Sequence, residues 1–269
     1  PGRSPVFASN AMVSTSHPLS SAAALDVLRR GGNAVDAALA AVSVQCVVEP
    51  ASTSVGGDCF CLYAPVDRRS PVAIKGSGRA PKRLSLDWMI ANGYDSIPQQ
   101  SPHSVTVPTA VDAWVTLNKD YGTKPLGDLL QYAIEYARDG YPVGQRVAFD
   151  FANTSDLIKQ DKDLSKLFLF NGKTLPNGFY HKQPNLAKSL TVIGNIGRDG
   201  FFSGWVADDI IKKLNSLGGF HQKDDFDDAI ANYVKPISSE FRGYKIWQCQ
   251  HNGQGVIDLV LLNMASEMN

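Results

Sequence analysis

Residues 33–50, NAVDAALAAVSVQCVVEP, constrain the fold more than any other stretch of this chain. They follow a Gly31-Gly32 pair that stops a helix predicted to begin near Pro18, with Ser16 or His17 as its cap. Asn33 then offers a side-chain acceptor to the first free N–H groups of a second helix. That second helix carries alanine, valine and leucine on nearly every side. A helix without a polar stripe is buried on all its faces, so the chain must build layers around it. With 269 residues there is enough chain to do so.

Other elements follow from local pattern. CFCLY (59–63) alternates as a half-buried strand after the glycine turn SVGGD, and residues 71–74 read as its hairpin partner. Ser85 caps a helix that Gly93 ends. A further helix is predicted from Pro108 through Trp114 to about Lys119. PLGDLLQYAIEYARDG is amphipathic, with Leu126, Leu129, Leu130, Ala133, Ile134 and Ala137 on one face. Residues 145–200 read as helices and loops, VADDIIKKLNSLGG as a helix, and FRGYKIWQCQ as a strand after a turn. Trp88, Trp114, Trp205 and Trp247 are expected in the core. The last segment, GVIDLVLLNMASEMN, is helical and carries no stop signal, so the chain is expected to continue beyond it.

Composition excludes several classes. The 26 basic and 26 acidic residues cancel, which argues against nucleic acid or an anionic membrane surface as partner. The longest apolar run, Ala37 to Val48, is too short to span a bilayer. Cys46, Cys59, Cys61 and Cys249 are read as buried thiols rather than disulfides, because the chain is long and cysteine-poor. The five histidines show no metal-ligand spacing, and no metal is expected. Asp36 and Asp58 read as cap or hydrogen-bond partners, not catalytic acids.

One loop invites a functional reading. In AIKGSGRAP (73–81) a strand ends in Gly-Ser-Gly, followed by Arg79. Glycines let another group approach the backbone closely. Ser77 reads either as a turn residue or as a hydrogen-bond partner for substrate. Arg79 reads as a carboxylate anchor or, preferentially, as a structural ion pair supporting the loop. Asn252 and Gly253 form an ordinary Asn-Gly turn or line a cleft.

The order of the segments carries a resemblance. HPLSSAAALDVLRRGGNAVDAALAAVSVQCVVEPASTSVGGDCF (17–60) resembles the N-terminal signature of the gamma-glutamyltranspeptidase family. Landmarks follow in family order: RAP (79–81), VTVPTAVDAWVTLNKDYGTKPLGDLLQYAIEYARDGYPV (105–143), GGFHQKDDFDDAIANYVKPISSEFRGYKI (218–246) and HNGQG (251–255). The match runs over almost the whole chain.

The resemblance implies an N-terminal-nucleophile (Ntn) hydrolase with an α+β fold, an αββα sandwich completed by strands of a small C-terminal subunit. It implies a self-cleaving precursor in which the nucleophile is the new N-terminal threonine of that small subunit. Residues 1–269 would then be a single domain, the large subunit, incomplete at its C-terminus and with no catalytic residue of its own. No cofactor is implied, and the assembly would be a heterodimer or a dimer of heterodimers.

A departure narrows the substrate. Gamma-glutamyl enzymes of the family carry an arginine three residues before the Ala of Ala-Pro, where it grips the substrate's α-carboxylate. Here that position is Ser77, and Arg79 is shifted by two residues, about 6–7 Å along an extended chain. GSGRAP, with HNGQG in place of a Pro-Ser-Ser-Gly type motif, is more like the branch that includes oxamate amidohydrolase. Ser77, Gly78, Arg79, Asn252 and Gly253 are the expected substrate-binding residues, with hydroxyls and backbone N–H groups holding a small carboxylated amide. The alternatives are a gamma-glutamyltransferase or glutathione hydrolase, a cephalosporin-acylase-like amidase, and a scaffold that lost its nucleophile. A cytoplasmic location is expected, with periplasm or secretion as the alternative.

Overall fold

In the computed structural model, which describes residues 4–268, the elements run in this order. First come α1 (Pro18–Arg29), α2 (Ala34–Val48), β1 (Cys59–Tyr63), β2 (Val72–Gly76), α3 (Leu86–Ala91), α4 (Ala110–Tyr121) and α5 (Leu126–Asp139). Next are β3 (Tyr141–Pro142), α6 (Gln145–Asn153), α7 (Ser155–Gln160), α8 (Lys162–Phe168), β4 (Leu169–Phe170), β5 (Lys173–Thr174) and β6 (Tyr180–His181). The chain continues with α9 (Pro184–Ile196), α10 (Asp199–Phe202), α11 (Trp205–Ser216) and α12 (Lys223–Asp227). It closes with β7 (Asn232–Val234), β8 (Ile237–Phe241), β9 (Tyr244–Gln248) and α13 (Gly255–Ser266). Two compact units emerge among the described residues, one from 4–54 with 118–197, the other from 55–117 with 198–268.

The first unit is helical. His17 caps α1 through its ring Nδ1, which accepts from Leu19 N–H at 3.2 Å. Asn33 and Asp36 form a reciprocal capping box at the start of α2, each bond 2.9 Å. As the apolar pattern requires, α2 is buried along most of its length. Ser20 sits at its contact with α1 and donates to the Ala41 carbonyl at 2.8 Å. The α5–α9 crossing rests on two glycines. A Cβ on Gly127 or Gly194 would lie 3.0 Å from the facing backbone, closer than side-chain carbons normally approach. Between α5 and α9, the β3–β6 pair sets Tyr141 against His181, both buried, with ring centroids 5.8 Å apart.

The second unit contains the antiparallel sheet β1-β2-β7. Cys59 pairs with Gly76, Tyr63 with Val72, and Lys75 with Asn232. A separate hairpin, β8–β9, turns through Arg242 (φ 49°) and Gly243 (φ 82°). Positive φ at both turn residues matches the twist of a two-residue hairpin. The core of this unit includes Trp114, Phe201, Phe202 and Phe226. Asp112 of α4 is buried and pairs with Arg198 at 2.9 Å. Arg198 also donates to the carbonyls of Phe226, Asp227 and Ala229, which pins the segment leading into β7.

Three expectations need correction. Trp205 is 47% exposed, and Trp88 and Trp247 are half-buried, so Trp114 alone of the four lies deep in the core. Trp88 instead joins an aromatic cluster with Tyr94, His103 and Phe220. The helix expected from Pro108 begins at Ala110. All four cysteines are free thiols, but only Cys46 is fully buried.

Candidate functional site

The site grows from the end of β2. At Gly76 the strand leaves the sheet, and at Gly78 the chain crosses residue 107 closely. A Cβ on Gly78 would lie 1.6 Å from the Val107 carbonyl oxygen, so only glycine fits there. Just beyond, Val107 N–H donates to the Arg79 carbonyl at 2.9 Å, fixing the loop against the chain that enters α4. Residues 251–252 are tied to the same strand end. Lys75 Nζ donates to the His251 carbonyl at 3.3 Å, and Asn252 Nδ2 donates to Ser77 Oγ at 2.8 Å.

Ser77, Gly78, Arg79 and Asn252 thereby line one cavity of about 620 Å³. Gly253 does not join them. It lines a smaller hollow of about 380 Å³, where it faces the Phe60 ring. Sequence reasoning gave no site role to Lys75, Lys82, Thr109, Asp225, Asp228 or His251, which also line the larger cavity. They come from separated segments that only the fold brings together. Thr109 is the most informative of these, because it is 2% exposed and its hydroxyl has no hydrogen-bond partner among the described residues.

The charges around the cavity are unequally employed. Lys82 Nζ pairs with Asp228 at 2.5 Å, and this contact raises the lysine pKa and lowers that of the aspartate. Asp225 accepts the backbone N–H groups of Lys82 and Gln222. Arg79 is exposed, and among the described residues its guanidinium makes no hydrogen bond or ion pair. The supporting ion pair expected for it is therefore not formed among the described residues.

Two of the loop's donors are already committed. Ser77 Oγ donates to Asp58 Oδ2 at 3.1 Å, and Gly78 N–H donates to Asp58 Oδ1 at 3.4 Å. Asp58 is thus a hydrogen-bond partner, as its sequence context suggests. Neighbouring Cys59 has its thiol pKa pushed up to about 12, first by burial and then by the nearby Cys61, so it is no nucleophile. No group of histidines, cysteines and carboxylates able to hold a metal ion exists among the described residues. Among the described residues no helix is long and apolar enough to cross a membrane.

Comparison with known proteins places the chain in a family. The family model described as gamma-glutamyltranspeptidase matches residues 20–269. The chain belongs to the gamma-glutamyltranspeptidase family. It corresponds to the family's large-subunit portion and has the α+β fold of its Ntn-hydrolase members. It is 34% identical to the glutathione hydrolase-like YwrD proenzyme of Bacillus subtilis, over 96% of this chain and 49% of that protein. It is 30% identical to the oxamate amidohydrolase proenzyme of Klebsiella pneumoniae, over 94% of this chain and 48% of that one. Among solved structures, it superposes on the cephalosporin acylase from Bacillus halodurans with a TM-score of 0.93 at 35% identity. That match covers 100% of this chain and 51% of the acylase. The chain spans about half the length of these relatives.

Proposed function

We propose that this chain is the large subunit of a two-chain amidohydrolase that hydrolyses a small carboxylated amide such as oxamate. Its partner would be the C-terminal remainder of the same precursor, bearing the nucleophilic N-terminal threonine. The relatives named above as proenzymes are about twice as long as this chain, which fits a processed precursor. So does the surface of α13. Val256, Ile257, Val260, Leu261 and Met264 are 44% to 62% exposed on it, and Leu259 is its one fully buried residue. Phe60 and Leu62 are exposed on β1, an edge strand of its sheet. An apolar helix face and an open strand edge fit a second chain that packs on one and pairs with the other.

The observation that carries the substrate reading is the unpaired Arg79 in a cavity where the family's carboxylate-binding arginine is replaced by Ser77. A guanidinium without a protein carboxylate suits a planar carboxylate from a ligand. The reaction would run as oxamate plus water to oxalate and ammonium. The threonine hydroxyl adds to the amide carbonyl and its own α-amine takes the proton. The C–N bond breaks with ammonia leaving, and water then cleaves the acyl ester. Gamma-glutamyl hydrolysis or transfer is the second reading, favoured by the same arginine if a longer substrate reaches it.

The full-length protein tests this in two steps. Intact-mass analysis should find a second polypeptide that begins at threonine, and a single uncleaved chain would favour a scaffold. Oxalate release from oxamate should exceed cleavage of a gamma-glutamyl anilide. Brisk anilide cleavage without oxamate turnover would overturn the preference.

A further inference from the structure

The hydrogen bonds around Ser77 fix more than the shape of the cavity; they fix its polarity. A carboxylate only accepts hydrogen bonds, so the Ser77–Asp58 contact must use the serine's proton. A hydroxyl has one proton and two lone pairs. Ser77 Oγ spends one lone pair on Asn252 Nδ2–H and keeps the other. Asn252 turns one of its two Nδ2–H groups toward Ser77; its second N–H and its carbonyl oxygen are without a partner among the described residues. The neighbouring backbone donor, Gly78 N–H, is also taken by Asp58. Ser77 Oγ therefore meets a ligand only as an acceptor, with the Asp58 carboxylate directly behind it, and Asn252 Oδ1 adds a second acceptor beside it in the same corner.

We propose that this corner receives an N–H donor of the substrate, not its carboxylate, and that Asp58 is the positioning residue that enforces this. The proposal rests on the reading that this cavity is the substrate site. Arg79 then takes the carboxylate, and Ser77 Oγ with Asn252 Oδ1 takes the amide NH₂. The pair of contacts selects small monoamides of dicarboxylic acids. It also separates substrate from product. Hydrolysis exchanges the NH₂ for an oxygen that can only accept, so the product meets lone pairs and the Asp58 charge where the substrate met hydrogen-bond acceptors.

The test uses ligands that the enzyme cannot hydrolyse. Glycine carries a carboxylate and an N–H donor at oxamate spacing; oxalate replaces the donor with a second carboxylate. Affinities of the full-length protein for both are measured by NMR titration, in wild type, Ser77→Ala and Asp58→Asn. Wild type should bind glycine about tenfold or more tightly than oxalate, the scale of one hydrogen bond gained against one lone-pair clash. Ser77→Ala should weaken glycine more than oxalate, because an acceptor is lost. Asp58→Asn should shrink the glycine preference to about threefold or less, because an amide can donate to Ser77 and release its proton. The opposite sign in Ser77→Ala, with oxalate weakened more, would overturn the proposal. So would an unmoved ratio in Asp58→Asn at an unchanged melting temperature, or no binding of either ligand. Oxamate turnover is scored separately: its failure would remove the proposed reaction and leave the polarity of the corner standing or falling on these ratios.

Discussion

Two aspartates, Asp36 and Asp58, do opposite things with the same chemistry. Asp36 is 0% exposed and accepts from the N–H groups of Asn33, Thr123 and Lys124 and from the Thr123 hydroxyl. It ties the start of α2 to a chain segment almost ninety residues away, and its oxygens are saturated. Asp58 is exposed and gathers Ser77 and Gly78, yet the groups around it keep acceptors unfilled and Arg79 keeps its donors. A saturated buried cluster holds a fold in one arrangement; an unsatisfied cluster beside a cavity is prepared for something else to complete it.

The sharpest break of this contrast is Asp36→Ala. It would orphan three part-buried backbone N–H groups, each worth about 1 kcal/mol or more, so stability should fall by about 3 kcal/mol. Urea unfolding measures it, and a loss below about 1 kcal/mol would refute the structural role. Burial by itself would raise the Asp36 pKa, but the bonds from Thr123, Asn33 and Lys124 outweigh it and leave the carboxyl below its usual range. A depressed folded pKa means that this stability is present above about pH 4 and is lost as pH falls through the lower folded value.

His181 should give the next effect, in a different window. Burial lowers its pKa from 6.5 to about 4, so the unfolded chain takes up a proton that the folded chain refuses. Stability at neutral pH should therefore decline by about 3 kcal/mol between pH 6.5 and 4. His17 and His221, also lowered by burial, add to the same trend. Melting temperature against pH should flatten over that window in His181→Phe, and an unchanged slope would count against burial as the cause.

The cavity side predicts effects on function with little effect on fold. Arg79→Ala should lower kcat/KM on a carboxylated amide by about 10- to 100-fold, mainly through KM, the worth of one charged hydrogen-bond pair. Arg79→Lys should recover part of it. Smallest of all, Asp58→Ala should shift the melting temperature by less than about 2 °C, in contrast to Asp36→Ala. A large melting shift there would erase the distinction between the two aspartates.

Local features were legible in sequence and assembled ones were not. The Asn33 cap, the Ser85 cap and the alternation of β1 are written within a few residues, so pattern reading finds them. The strand β7 is three residues long before Lys235-Pro236 and has too little alternation to register. Trp205 lies in an apolar-looking helix, but it occupies the first turn, where its ring faces out. At the site, the glycine-bracketed loop marked itself through Ser77, Gly78 and Arg79. That Asp58 consumes two of its donors, and that Thr109 and Asp225 share its cavity, depends on contacts between segments far apart in the chain.

The most direct test of the account is the position of a bound monoamide. In a crystal of the full-length protein soaked briefly with oxamate, the carboxylate should lie against the Arg79 guanidinium and the amide nitrogen within hydrogen-bond distance of Ser77 Oγ and Asn252 Oδ1. A carboxylate seated on Ser77 Oγ and Gly78 N–H, with Arg79 turned to solvent, would contradict it.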